Sequence, residues 1–171
     1  MTWNVRLRLL LLLVTTTVLQ ITVFPDLRFF GIAPELCLVA TIAVAFRAGS
    51  EVGAVYGFVA GLAIDIFLQT PLGLSALTFA IVGYGVGFVQ TGLSQTPRWA
   101  APMFGGIGGL AGGAFFVVIG SLTGEEQLFA WRSVWVVLVA AIYDAVVALA
   151  LFPIARWAVP VDELAGRARM P

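Results

Sequence analysis

The sequence predicts an all-α integral membrane protein: six transmembrane helices packed as one bundle, with both termini in the cytoplasm. Three observations predict it. The chain of 171 residues is 61% hydrophobic and only 11% charged, with mean hydropathy +1.05, whereas soluble domains carry about 25% charged residues. Its apolar runs have the length of membrane spans, about 20 residues with a range of roughly 17 to 25. Its arginines divide unevenly between the segments that join those runs.

The spans are taken in order, as one polytopic domain over 1–171. Span 1 covers about 7–24, follows Arg6 and Arg8, and stops at Pro25-Asp26. It has the basic flank of a secretory signal. No small-x-small cleavage site follows, so it reads as an uncleaved helix. Span 2, about 32–46, is short. Only "RAGSE" separates it from span 3, about 52–68, which implies a tight hairpin. Span 4 covers about 72–89. Span 5, about 100–122, is preceded by Pro97 and has Pro102 in its first turn, where a missing amide donor costs least. Span 6 covers about 133–157.

The arginines test the count. With the termini inside, Arg6, Arg8, Arg47, Arg98, Arg156, Arg167 and Arg169 lie on the cytoplasmic side. Only Arg28 and Arg132 lie outside. An excess of basic residues in cytoplasmic segments is the rule for membrane proteins, and removing any one span scrambles the division. Trp3, Trp99, Trp131, Trp135 and Trp157 fall at or near span ends, as expected of an interfacial aromatic belt.

The composition excludes several chemistries. All nine basic residues are Arg, and the chain has no His. Schiff-base lysines, His acid–base catalysis and His metal sites are ruled out. The single Cys37 offers no intrachain disulfide and no thiolate cluster. The net charge is zero, and no basic patch of nucleic-acid type is present. No catalytic residue, cofactor site or metal site is expected.

Small residues form ladders in spans 3 and 5, and span 4 adds Gly83 and Gly87 at the same spacing. Gly49, Gly53, Gly57 and Gly61 are spaced by four, and Asp65 is the next step. Residues i and i+4 share a helix face. Gly105, Gly109 and Gly113 repeat the spacing in span 5. Such grooves let helix backbones approach closely in lipid. They either close the bundle internally or dock a partner's helix.

Asp65 and Asp144 stand out as acids inside apolar runs. Asp65 stands about one turn from the outer end of span 3, beside the turn "QTPLG" with Pro71 and Gly73. It either ties the span 3–span 4 turn or contacts a substrate or partner. Asp144 falls near the middle of span 6, and acids at such positions are commonly functional. It forms either a buried hydrogen bond or a functional contact. Arg47 and Glu51, four apart, are spaced for a helical ion pair.

The stretch "GAVYGFVAGLAIDIFLQTPLGLSALTFAIVGYGVG", 53–87, resembles the core signature of the rod shape-determining MreD family. The shared features are Gly53, Gly57, Gly61, Asp65, Pro71-Leu72-Gly73, Tyr84 and Gly87. That family often has Asn where Asp144 stands. The resemblance implies a non-enzymatic scaffold in the bacterial cytoplasmic membrane that serves the wall-elongation machinery and maintains cell shape. It implies direct binding of MreC, together with MreB, RodA and a class B penicillin-binding protein as partners, and contact with membrane lipid. The helix count also resembles the substrate-binding subunits of energy-coupling-factor vitamin transporters. That alternative needs an outward polar pocket, for which Asp65, Gln69, Thr70, Glu125, Glu126 and Gln127 are the available residues. An intramembrane hydrolase would need a nucleophile–base pair, which the sequence lacks.

Overall fold

The computed structural model describes residues 3–23, 32–67, 72–90, 100–122 and 131–160. Its elements are α1 (Trp3–Thr22), α2 (Leu36–Ala48), α3 (Ser50–Phe67), α4 (Leu74–Gln90), α5 (Ala100–Leu122) and α6 (Trp131–Ala158). The all-helical class and the six helices agree with the sequence. Pro71, Gln69, Thr70, Pro97, Trp99, Arg28, Arg98, Arg167, Arg169, Glu125, Glu126 and Gln127 lie outside the described residues.

Not every expected span is full length. Among the described residues, α1, α3 and the Val134–Ala158 stretch of α6 combine the length and hydropathy to cross a membrane. The apolar helices α2 and α4 have 13 and 17 residues. At 1.5 Å per residue, α2 is about 20 Å long, short of a ~30 Å hydrocarbon core. Span 2 was expected to begin at residue 32. Pro34 explains the later start, because it biases the residue before it away from helix, and the helix begins at Leu36.

Helix α2 can be short because protein surrounds it. Every residue from Leu36 to Phe46 is buried, and α2 touches all five other helices. A helix that is apolar on all sides belongs in an interior. Phe46 packs between the rings of Phe104 and Phe152, with centroids 4.8 and 5.4 Å away. The outer helices have the reverse pattern. Leu7, Leu10, Leu11, Val55, Phe58, Ile66, Leu77, Phe88, Ile107, Ile142, Val146 and Leu149 all point outward and are exposed. That surface suits lipid.

Two glycines make the joints. Gly49 takes φ +89° and ends α2, donating its N–H to the Ala45 carbonyl (2.9 Å). A positive φ is cheap only for Gly. Its own carbonyl accepts from Gly53 (3.0 Å), so α3 starts at once. Gly73, at φ +97°, does the same work before α4, with its carbonyl accepting from Leu77 (2.9 Å). Gly49 is therefore a hinge, and a side chain there would meet no atom within 4 Å. Its backbone nevertheless lies against Gly87 of α4, so it joins the packing from the hinge rather than from the helix.

This hinge also corrects the expected Arg47–Glu51 ion pair. The two residues lie on different helices, and Arg47 instead donates to the Val159 carbonyl at the end of α6 (3.2 Å).

Candidate functional site

The first four amides of any helix lack partners within it, and in a bilayer interior water cannot supply them. Among the described residues, the buried carboxylates Asp65 and Asp144 stand at two such helix starts.

Asp65, on the last turn of α3, is 2% exposed. Its Oδ2 accepts from the amides of Gly73 (2.9 Å) and Ala76 (3.2 Å), and its Oδ1 accepts from Ser75 (3.2 Å). It thus engages three amides where α4 begins. An anion is favoured there by the helix dipole as well. The close approach depends on Gly61, one turn earlier on α3. A Cβ at Gly61 would sit 2.5 Å from backbone atoms of Ser75 and Ala76.

Asp144 is 1% exposed and lies midway along α6. Its Oδ1 accepts from the amide of Glu35 (2.9 Å). The next amide, that of Leu36, donates to Oε1 of Gln20 on α1 (2.7 Å). Gln20 Nε2 in turn donates to the Pro34 carbonyl (3.2 Å). Helix α2 therefore begins halfway along α6, and side chains of α1 and α6 hold its start. Gln20 escaped the sequence reading. Its signal is that of a lone amide side chain late in an apolar span.

Both glycine ladders are filled from within the chain. On α3, a Cβ at Gly53 would strike Ala45 of α2 and approach the Gly83 carbonyl of α4. One at Gly57 would strike the Phe79 carbonyl of α4. Gly83 and Gly87 return the contact, meeting Gly53 and Ser50. On α5, Gly105 faces Ala148, Gly109 faces Asp144 and Gly113 faces Val137, all on α6. Gly109 makes the room Asp144 occupies, since a Cβ there would lie 2.5 Å from Oδ2. Gly108 and Gly112 face Ile42 and Leu38 of α2. The two ladders do not face each other, and neither leaves an open groove along the described helices.

The arginines gather at one end. Arg8 donates to the Trp157 carbonyl (3.1 Å) and lies 5.0 Å above the Trp157 ring. With Arg47 on Val159, two cations cover the carbonyls that end α6, the negative pole of its dipole. The start of α1, the end of α2 and the end of α6 therefore share one end of the bundle.

A lipid-matched exterior, a buried central helix and side-chain caps in place of water define the class: an all-helical membrane protein. The chain matches the family model of the rod shape-determining protein MreD over residues 2–157, nearly its whole length. It belongs to that family, whose role is the determination of rod shape. No curated protein and no solved structure matches the chain. The vitamin-uptake alternative finds no support in these comparisons.

Proposed function

We propose that this protein is a non-enzymatic scaffold of the wall-elongation machinery, seated in the bacterial cytoplasmic membrane with both termini inside, and that it binds MreC. One observation carries the reading. The two buried acids expected to mark a site are engaged by backbone: Asp65 by the start of α4, and Asp144, beside the partly buried Gln20, by the start of α2. Such groups build a fixed shape rather than a reaction centre. A buried polar group that is fully hydrogen-bonded specifies one arrangement of its neighbours.

The mode of partner binding follows from the filled ladders. With α3 closed by α4 and α5 closed by α6, MreC meets the outward faces of the bundle and not a glycine groove. MreB, RodA and the class B penicillin-binding protein are partners of the same assembly.

A photo-crosslinking scan tests this. The positions are Leu77, Ile81 and Phe88 on α4, Leu110 on α5, and Ile142, Val146 and Leu149 on α6. MreC adducts should cluster on one face, and a probe at Leu38, buried on α2, should give none. Absence of MreC adducts from every outward position, in cells that remain rods, would defeat the docking reading.

A further inference from the structure

Between α1 and α3 the bundle has an open cleft of about 650 Å³. Leu9, Leu10, Leu13 and Val14 line one wall, and Val52, Val55 and Val59 line the other, with Tyr56 between. Its charged residues are Arg6 and Glu51. Each is the first residue of its helix to line the cleft. The two opposite charges therefore stand together at one end, the end where the arginines gather.

The dimensions select among occupants. From Arg6 to Val14 is eight steps, about 12 Å along a helix axis. That is close to one leaflet, half of a ~30 Å hydrocarbon core. A transmembrane helix needs a groove of the full thickness. An acyl chain entering from one interface needs half. Apolar walls suit the chain, and the mouth suits a headgroup that carries both signs. A guanidinium recognises phosphate, and Glu51 is placed for a cation beside it. A headgroup with phosphate alone would meet Glu51 as a like charge.

We propose that this cleft is a binding site for one phospholipid with a zwitterionic, ammonium-bearing headgroup. Its phosphate lies at Arg6 and its ammonium at Glu51. One acyl chain lies between Leu10, Leu13 and Val14 on one side and Val55 and Val59 on the other. Such a lipid fills the space where α1 stands off from α3, and it does not depend on the scaffold reading.

The test uses the full-length protein in mild detergent, with native mass spectrometry and added dioleoyl-phosphatidylethanolamine or dioleoyl-phosphatidylglycerol. Wild type should retain one phosphatidylethanolamine in preference to phosphatidylglycerol. Val55 is 66% exposed, so Val55→Trp should fold normally, fill the cleft and abolish retention. Glu51→Gln should lower the preference for phosphatidylethanolamine about fivefold, the order of one interfacial charge. Arg6→Gln should weaken retention of both lipids. Equal retention of the two lipids by wild type, retention unchanged in Val55→Trp, or a preference unchanged in Glu51→Gln would each overturn the assignment. A photo-crosslinker at Val59 in native membranes gives a second readout. A lipid adduct supports the site. A protein adduct overturns it and makes the cleft a partner's seat instead.

Discussion

Replacing Asp65 with Asn or with Leu separates its hydrogen bonds from its charge. The carboxylate accepts from three described amides, two on Oδ2 and one on Oδ1. Leu removes both acceptor oxygens and leaves three amide donors without them. An unsatisfied buried donor costs about 1–3 kcal/mol, so the loss approaches the whole net stability of an ordinary domain, about 5–15 kcal/mol. Asn with its oxygen in the place of Oδ2 keeps the bonds from Gly73 and Ala76. Its amide nitrogen then faces the Ser75 N–H, so one bond is lost, at about 1–3 kcal/mol. The expected order of thermal stability in detergent is wild type, then Asn, then Leu by a wide margin. Scanning fluorimetry at a fixed heating rate measures it, since membrane-protein unfolding is often irreversible and rate-dependent. Leu as stable as wild type, or Asn as damaging as Leu, would refute the capping argument.

Other outcomes follow from the same geometry. Gly57→Ala should destabilise by about 1–3 kcal/mol through overpacking against the Phe79 carbonyl. Gly85→Ala, with no atom within 4 Å of its new methyl, should leave the melting temperature unchanged or slightly higher; equal losses for both would argue against the α3–α4 packing. Asp144→Asn should be mild, because Asn retains an acceptor for the Glu35 amide, while Asp144→Leu and Gln20→Leu should each cost about 1–3 kcal/mol on the same scan. Reporter fusions after Met170 and between Arg47 and Glu51 should read cytoplasmic, and one near Glu126 extracytoplasmic; a C-terminus outside would sink the six-span topology.

Much of the fold is legible in the sequence because membrane helices announce themselves by length and polarity. The order of the six helices follows from five interruptions of apolar runs: Pro25-Asp26, "RAGSE", "QTP", the segment around Pro97, and "TGEEQLFAWR". The start of α2 is not legible, because an apolar run does not show that the segment around Pro34 stays outside the helix. The Arg47–Glu51 spacing misleads because sequence separation says nothing of the helix break at Gly49. Glycine periodicity identifies a face but not the neighbour that covers it. That α3 closes on α4 and α5 on α6 needed coordinates. The caps were legible in unequal degree. Asp65 lies eight residues from Gly73, so its turn was within reach of local reasoning. Asp144 meets an amide 109 residues away, and no local pattern joins them.

The central claim is that the buried carboxylates build the bundle and take no part in proton chemistry. The doubly substituted Asp65→Asn, Asp144→Asn protein tests it most directly, because neither side chain can then ionise or exchange a proton and each keeps an acceptor oxygen. It is expressed in a deletion strain at membrane levels matched by blot to wild type, and cell shape is scored. The account predicts rods, with MreC still co-purifying. Round cells at matched abundance, with MreC still bound, would contradict it and place an ionised carboxylate in the function itself.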